Sequence, residues 1–280
     1  MSSSNQLATR LFGVFFCFIL ILMSCTSEKG DEYRKIEMEE LRQRLINNKV
    51  NLVYVSYKDS LGNDLSLELR ALLNQGKAMR TFYANRANEI TQIRLTEYSD
   101  DLVFDEIQIR ELLTSPFNSF QRIDINCEVA DSLILDRFEK DQAIRSQSTR
   151  GFHEMSIMDS INQQIIISLM EQCLWPEDPQ LIRAMWFIIQ HADSGFMAYY
   201  YPRFKQMVRD SLLSASTMAL MEDRMLMNHG YPQIYGSQIV QKSIYRLRDS
   251  ANVNQLRASV GMGSIEENAR RRFDFEYDPN

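Results

Sequence analysis

The residues best suited to chemistry fall in four short groups: Asp141 with Arg145, Gln190-His191-Ala192-Asp193, Asp223-Arg224, and Gln233 to Gln238. His191 is the residue type that exchanges a proton near neutral pH, so it is the candidate general base. Asp193 or Asp223 would orient its ring. Arg145 and Arg224 would clamp an anionic group, since guanidinium binds such groups through charge-assisted hydrogen bonds. Gln190, Tyr235 and Gln238 would read polar groups of a ligand, with Asp141 and Gln233 completing the set. A structural reading competes with this one. Asp193 would pair with Arg224 or Arg257, His191 would bond a backbone carbonyl, and Gln238 would tie down a loop, because structural ion-pair networks imitate active sites. Helix geometry limits both readings: His191 and Asp193 are two apart and point to different faces unless the helix bends or unwinds.

Other chemistries find less support. The chain has three His, at His153, His191 and His229, and lacks His-Glu-x-x-His and Cys-x-x-Cys spacing, so neither a metal site nor a cofactor is expected. No Gly-x-Ser-x-Gly elbow is present. A net charge of −6 argues against nucleic acid as a partner, because phosphate binding needs a basic face. With Gly (10) and Pro (6) sparse and Met (15) plentiful, a helix-rich protein is expected rather than a β-sandwich.

The elements that must position these groups follow from apolar spacing. Val129 to Ser148 reads as a helix on which Arg137, Asp141 and Arg145 share one face. Ser156 to Gln172 follows, with Met158, Ile161, Ile165 and Leu169 as its stripe. A buried central helix is expected from Pro179 to Tyr200, then one opened by Pro202, then one over Ser216 to Asn228. The Gly and Pro positions of Gly230 to Gly236 forbid regular helix. The alternation from Ile234 to Val240 suggests a strand paired with Ser243 to Arg248, and a short helix from Asn252 is closed by Gly261 or Gly263.

Residues 33–125 carry no chemical constellation. Helices are expected over Tyr33 to Asn47, from Leu65 past Gly76 towards Ala87, and from Asp100 to Leu113 behind Ser99, with a strand over Leu52 to Tyr57. Cys127 and Cys173 lie in separate elements with no framework of further cysteines, and are expected as unbridged thiols.

Residues 1–24 read as a signal peptide: Arg10 supplies the positive region, and Leu11 to Met23 is an apolar run too short for an ordinary membrane span. The ending Leu22-Met23-Ser24-Cys25 resembles a bacterial lipobox, which implies cleavage before Cys25 and lipidation of its thiol. Residues 25–32 form the lipidated, polar tether, whose acidic residues resemble the export signals of surface lipoproteins.

The ordered motifs of the second half resemble the bacterial family catalogued as domain of unknown function 6624. They are Asp141-Gln142 with Arg145, Gln190-His191-Ala192-Asp193, Asp223-Arg224, Gln233-Ile234-Tyr235-Gly236-Ser237-Gln238, and Arg257 with Gly261. Ser237 stands where the family usually has Thr, and Cys173-Leu174 where it usually has Gly before Trp175-Pro176. The resemblance implies a fold and a site but no activity. The expected organisation is an N-terminal helical and mixed region over residues 33–125, a core helical domain over 126–270 and a tail over 271–280. The fold class is mainly α, multihelical, with a minor β hairpin near the C-terminus. The expected setting is the cell envelope, with membrane contact through lipid on Cys25, on an outer membrane facing the periplasm or the cell surface. An interaction module is the leading functional expectation, and a hydrolase-like enzyme is the alternative.

Overall fold

Where apolar residues recur at helical spacing, the chain forms helices whose apolar faces converge. The computed structural model describes residues 33–273 apart from 48, 115–120, 147–150 and 242. The signal segment, Cys25, the tether and most of the tail therefore lie outside the described residues. Among the described residues ten α-helices dominate: α1 Met38–Ile46, α2 Leu67–Asn74, α3 Val103–Thr114, α4 Ala130–Arg145, α5 Phe152–Gln172, α6 Pro179–His191, α7 Ser194–Arg209, α8 Ala215–Asn228, α9 Val253–Ser259 and α10 Ile265–Phe273. The protein is thus mainly α. Among the described residues, no helix is long and apolar enough to cross a membrane.

Four strands build a small sheet before the main bundle: β1 Arg34–Lys35, β2 Ser56–Asp59, β3 Met79–Ala84 and β4 Ile90–Thr96, in the order β1-β3-β4-β2. The β1–β3 and β3–β4 pairs are antiparallel, and β2–β4 is parallel. This corrects the helix expected to run past Gly76. Gly76 sits at φ +66°, where α2 stops, and the next residues bury Met79, Phe82 and Ala84 on a pleated surface. The sheet is clamped to α3 by Glu106, a buried carboxylate that takes Arg80 at 2.8 and 3.1 Å and the Arg80 amide at 3.2 Å. Such a carboxylate is stable in a core only because donors surround it.

Trp186, Phe196, Phe204 and Met221 lie in the larger apolar cluster, which α3, α4, α5, α6, α7 and α8 share. A second cluster, around Phe82, Ile93 and Leu95, lies under the sheet. The helix expected from Pro179 to Tyr200 is broken: Ala192 and Asp193 are extended, and Asp193 caps α7 by accepting the Phe196 amide at 3.0 Å. Asp followed by Ser-Gly is N-cap chemistry, and it overrides the continuous apolar pattern. Pro202, expected to open a helix, instead lies inside α7. A mid-helix Pro costs about 3 kcal/mol. Burial of Phe196, Met197, Tyr200, Tyr201, Phe204 and Met207 on the same helix offsets that cost.

On α5 the buried side is Asn162, Gln163, Ile166, Ile167, Leu169 and Met170, and Ile161 is exposed, so the stripe is rotated from the expected one. The hairpin near the C-terminus is β5 Ile239–Val240 against β6 Ser243–Ile244, as the alternation predicts.

Cys127 and Cys173 are bridged, with Cα atoms 5.5 Å apart. This corrects the expectation of two free thiols. Arg145 at the end of α4 meets Asp159 near the start of α5, so the two helices run antiparallel. That places Cys127, in the turn leading into α4, beside Cys173, the residue after α5, despite a separation of 46 positions. Closing a loop of that length stabilises by roughly 4 kcal/mol in the chain-entropy account. Reduction, or Cys127→Ala with Cys173→Ala, should lower the unfolding free energy by about 2–4 kcal/mol. Matched denaturant curves with and without reductant measure this; coincident midpoints would contradict it.

Candidate functional site

Two polar centres form where one was expected. The first gathers around Asp141, whose side chain is 0% exposed. It lies on the inward face of α4, one turn before Arg145. Its Oδ1 accepts Arg145 Nε at 3.2 Å and Nη2 at 3.1 Å. Its Oδ2 accepts the Gln142 amide at 2.8 Å and meets His191 Nδ1 at 2.7 Å. A carboxylate against Nδ1 places the imidazole proton there and leaves Nε2 as the free ring nitrogen. Nε2 makes no hydrogen bond to the described residues.

His191 ends α6, and Ala192 and Asp193 turn the chain away, so the ring edge is not covered by a further helical turn. It borders a cleft of about 450 Å³ lined by Arg145, Ser156, Asp159, Ser160, Gln163, His191 and Asp193 among others. Arg145 Nη2 also contacts Asp159 Oδ1 across the cleft. Burial by itself would raise the Asp141 carboxyl. The hydrogen bonds and charges of His191 and Arg145 outweigh it and hold Asp141 below the ordinary carboxylate range. Asp159 goes the other way, pushed up by burial against the pull of Arg145.

Asp193 forms no ion pair with Arg145, Arg224 or Arg257. It caps α7, and Gln163 completes it. With its amide oriented to satisfy both groups, Gln163 donates to Asp193 Oδ2 and accepts from the Asp193 amide, both at 3.1 Å. Helix capping takes the place of the expected salt bridge because the cap satisfies backbone donors that nothing else reaches.

The second centre is built on Asp223, buried on α8. It accepts the amides of Ile234 at 2.7 Å, Tyr235 at 3.0 Å and Ser237 at 2.9 Å. Burial pushes this carboxyl up while the amides pull it down, with burial the larger effect. Gln233 bonds Gln238 through the 238 amide (2.9 Å) and the 238 carbonyl (3.1 Å), and bonds the Tyr245 carbonyl at 2.6 Å. Arg257, 1% exposed, donates to the carbonyls of Tyr235 and Gly263, both at 2.6 Å. Gly236 lies at φ +66°, and a Cβ there would come within 2.4 Å of Ile265, so the loop requires glycine. Burial, followed by the charges of Glu222 and Asp223, pushes the Tyr235 phenol up to about 12.

The two centres meet at Gln190. Arg224 donates to the Gln190 carbonyl at 3.0 Å and to Gln238 Oε1 at 3.2 Å. Gln190 and Gln238 both point an amide at the Leu220 carbonyl, at 3.4 and 3.2 Å. The structure therefore brings Arg145, His191 and Asp193 to one cleft, with Asp141 buried behind Arg145 and His191. Gln190, Asp223, Arg224, Gln233, Tyr235 and Gln238 hold a loop against α6 and α8. The carboxylate on His191 is Asp141; neither Asp193 nor Asp223 reaches the ring. Arg145 and Arg224 are engaged by protein acceptors. Among the described residues, no group of three His, Cys, Asp or Glu side chains is placed to hold a metal ion.

Sequence reasoning missed Asp159 and Gln163. They stand four apart on α5, and following Asp159, Asn162/Gln163 and Ile166 at helical spacing would have found the inward face.

These features define a mainly α protein with a His–Asp pair at an open cleft, steadied by a carboxylate-centred loop. The chain belongs to the family of unknown function DUF6624, whose model matches residues 130–277, more than half its length. No curated protein and no solved structure matches it.

The Asp141 environment has a pH consequence. Its carboxyl is lowered in the folded state, so its stabilising contribution is present above the unfolded value of about 3.9 and is lost as pH falls through the folded value. The stability gap between wild type and Asp141→Asn should therefore shrink as pH drops below about 4. Urea unfolding of both proteins across that range checks it; a gap independent of pH would contradict it.

Proposed function

We propose that this chain is a lipid-anchored envelope protein whose family domain carries a general-base site of the hydrolase-like kind, with His191 as base and Asp141 as its orienting partner. One observation carries the reading: Asp141 holds Nδ1 while the opposite edge of the ring borders a cleft. A ring used only as structural glue would be expected to spend both nitrogens on protein groups. Water in the cleft would give its proton to Nε2, and Asp141 would stabilise the resulting imidazolium. Arg145 keeps Asp141 in place and ionised. The imidazolium would then return its Nε2 proton to the leaving group. With Arg145 already neutralised by two carboxylates, the cleft is not suited to an anionic group, and the arginine clamp gives way to a preference for neutral or cationic polar substrates.

The envelope setting rests on the lipobox-like stretch ending at Cys25, and the Cys127–Cys173 bridge supports an oxidising compartment. Wild type should partition with membranes and Cys25→Ser should be released or left unprocessed; lipid labelling that persists in Cys25→Ser would overturn the anchor.

For the site, a panel of chromogenic esters, amides and glycosides tests turnover. His191→Ala should abolish it while leaving the melting temperature nearly unchanged, and Asp141→Asn should reduce it by roughly 10²-fold or more. Absence of any turnover above His191→Ala, with a melting temperature several degrees lower in that variant, would return the residue to a structural role and favour an interaction module.

A further inference from the structure

A second cleft, of about 520 Å³, lies where α1 and α3 meet α7, and it shares no lining residue with the His191 cleft. Phe104 and Tyr201 line it with stacked rings, centroids 5.3 Å apart. Gln108, 3% exposed, also lines it. Its Nε2 donates to the Phe104 carbonyl at 3.2 Å, but its Oε1 is buried without a partner. Arg42 lines the same cleft and shows the complementary lack. Its guanidinium contacts the Tyr199 carbonyl and lies 3.7 Å from Glu39, while its Nε is buried without an acceptor. Asp105 and Lys205 line the cleft too, and neither forms a contact ion pair among the described residues. Lys205 Nζ rests 5.3 Å over the Tyr201 ring.

A buried acceptor left unmade costs on the order of 1–3 kcal/mol, and proteins rarely keep one without a use. Here an orphan acceptor and a carboxyl stand with an orphan donor and an ammonium around one aromatic surface. A ligand that satisfies all of them must carry a cationic donor, an anionic acceptor and an apolar body between. We propose that this cleft binds a short zwitterionic peptide. Its ammonium meets Gln108 Oε1 and Asp105, its carboxylate meets Arg42 and Lys205, and an apolar side chain rests on Phe104 and Tyr201. Part of the site comes from residues before the family-matched segment and part from within it, which gives the N-terminal region a role beyond packing.

Titration calorimetry of the full chain with glycyl-phenylalanine tests the proposal, with the N-acetylated and the C-amidated dipeptides as controls. Glycyl-phenylalanine should bind, and each blocked form should bind about tenfold more weakly, because each loses one charge-assisted contact. Gln108→Leu should weaken binding by a similar factor. Lys205→Met, an exposed-side change that leaves the fold undisturbed, should weaken the free dipeptide but not the amide. His191→Ala should bind as wild type does. No binding at millimolar peptide, equal affinity for the blocked forms, or unaltered affinity in both cleft variants would overturn the proposal.

Discussion

A carboxylate removed from water must be surrounded by donors, and the Asp223 carboxylate organises the second half of the chain on that condition. Three amides from Ile234, Tyr235 and Ser237 converge on it, which a regular helix or strand could not provide. The loop can close this tightly because Gly236 takes a left-handed conformation against Ile265. Once closed, it presents Gln238 to Arg224, and Arg224 in turn holds the Gln190 carbonyl. The residue after Gln190 is His191, so the loop sets the position at which α6 ends and the imidazole emerges.

The second carboxylate, Asp141, depends on that arrangement. It faces Arg145, Gln142 and His191, from its own helix and from the end of α6. Burial works against its charge, but His191 and Arg145 hold its titration below the ordinary carboxylate range, which keeps an acceptor available to Nδ1. Asp193 serves the same end by another route: it caps α7 just after α6 ends at His191, which leaves the ring at a cleft instead of inside a continuous helix.

The N-terminal region is joined to the bundle by similar means. Glu106 on α3 binds Arg80 on β3, and Val103 and Ile107 on the same helix enter the larger apolar cluster. Helix α3 therefore faces the sheet, the bundle and the cleft between α1 and α7 together. Its buried polar residues, Glu106 and Gln108, mark those contacts.

Local chemistry alone determined much of this. Apolar spacing placed the helices that carry Asp141, His191 and Asp223, and glycine and proline excluded helix from the 230–236 loop. The ordered polar motifs located the family domain and most of its polar centre. These features depend on neighbours within a few residues, so one chain segment contains them. Pairing was different. That Asp141, not Asp193, faces His191 depends on how α4 packs across α6, fifty positions away. Asp159 and Gln163 share a face that helical spacing could have shown, but only packing brought that face to the cleft beside His191. Cys127 and Cys173 met only through the antiparallel course of α4 and α5. The β3–β4 pair eluded sequence reading because strands are stabilised by partners on other strands and by the core beneath them. Tertiary structure alone decided which charged groups share a core, because the energy of a buried charge resides in the donors around it and not in its own position along the chain.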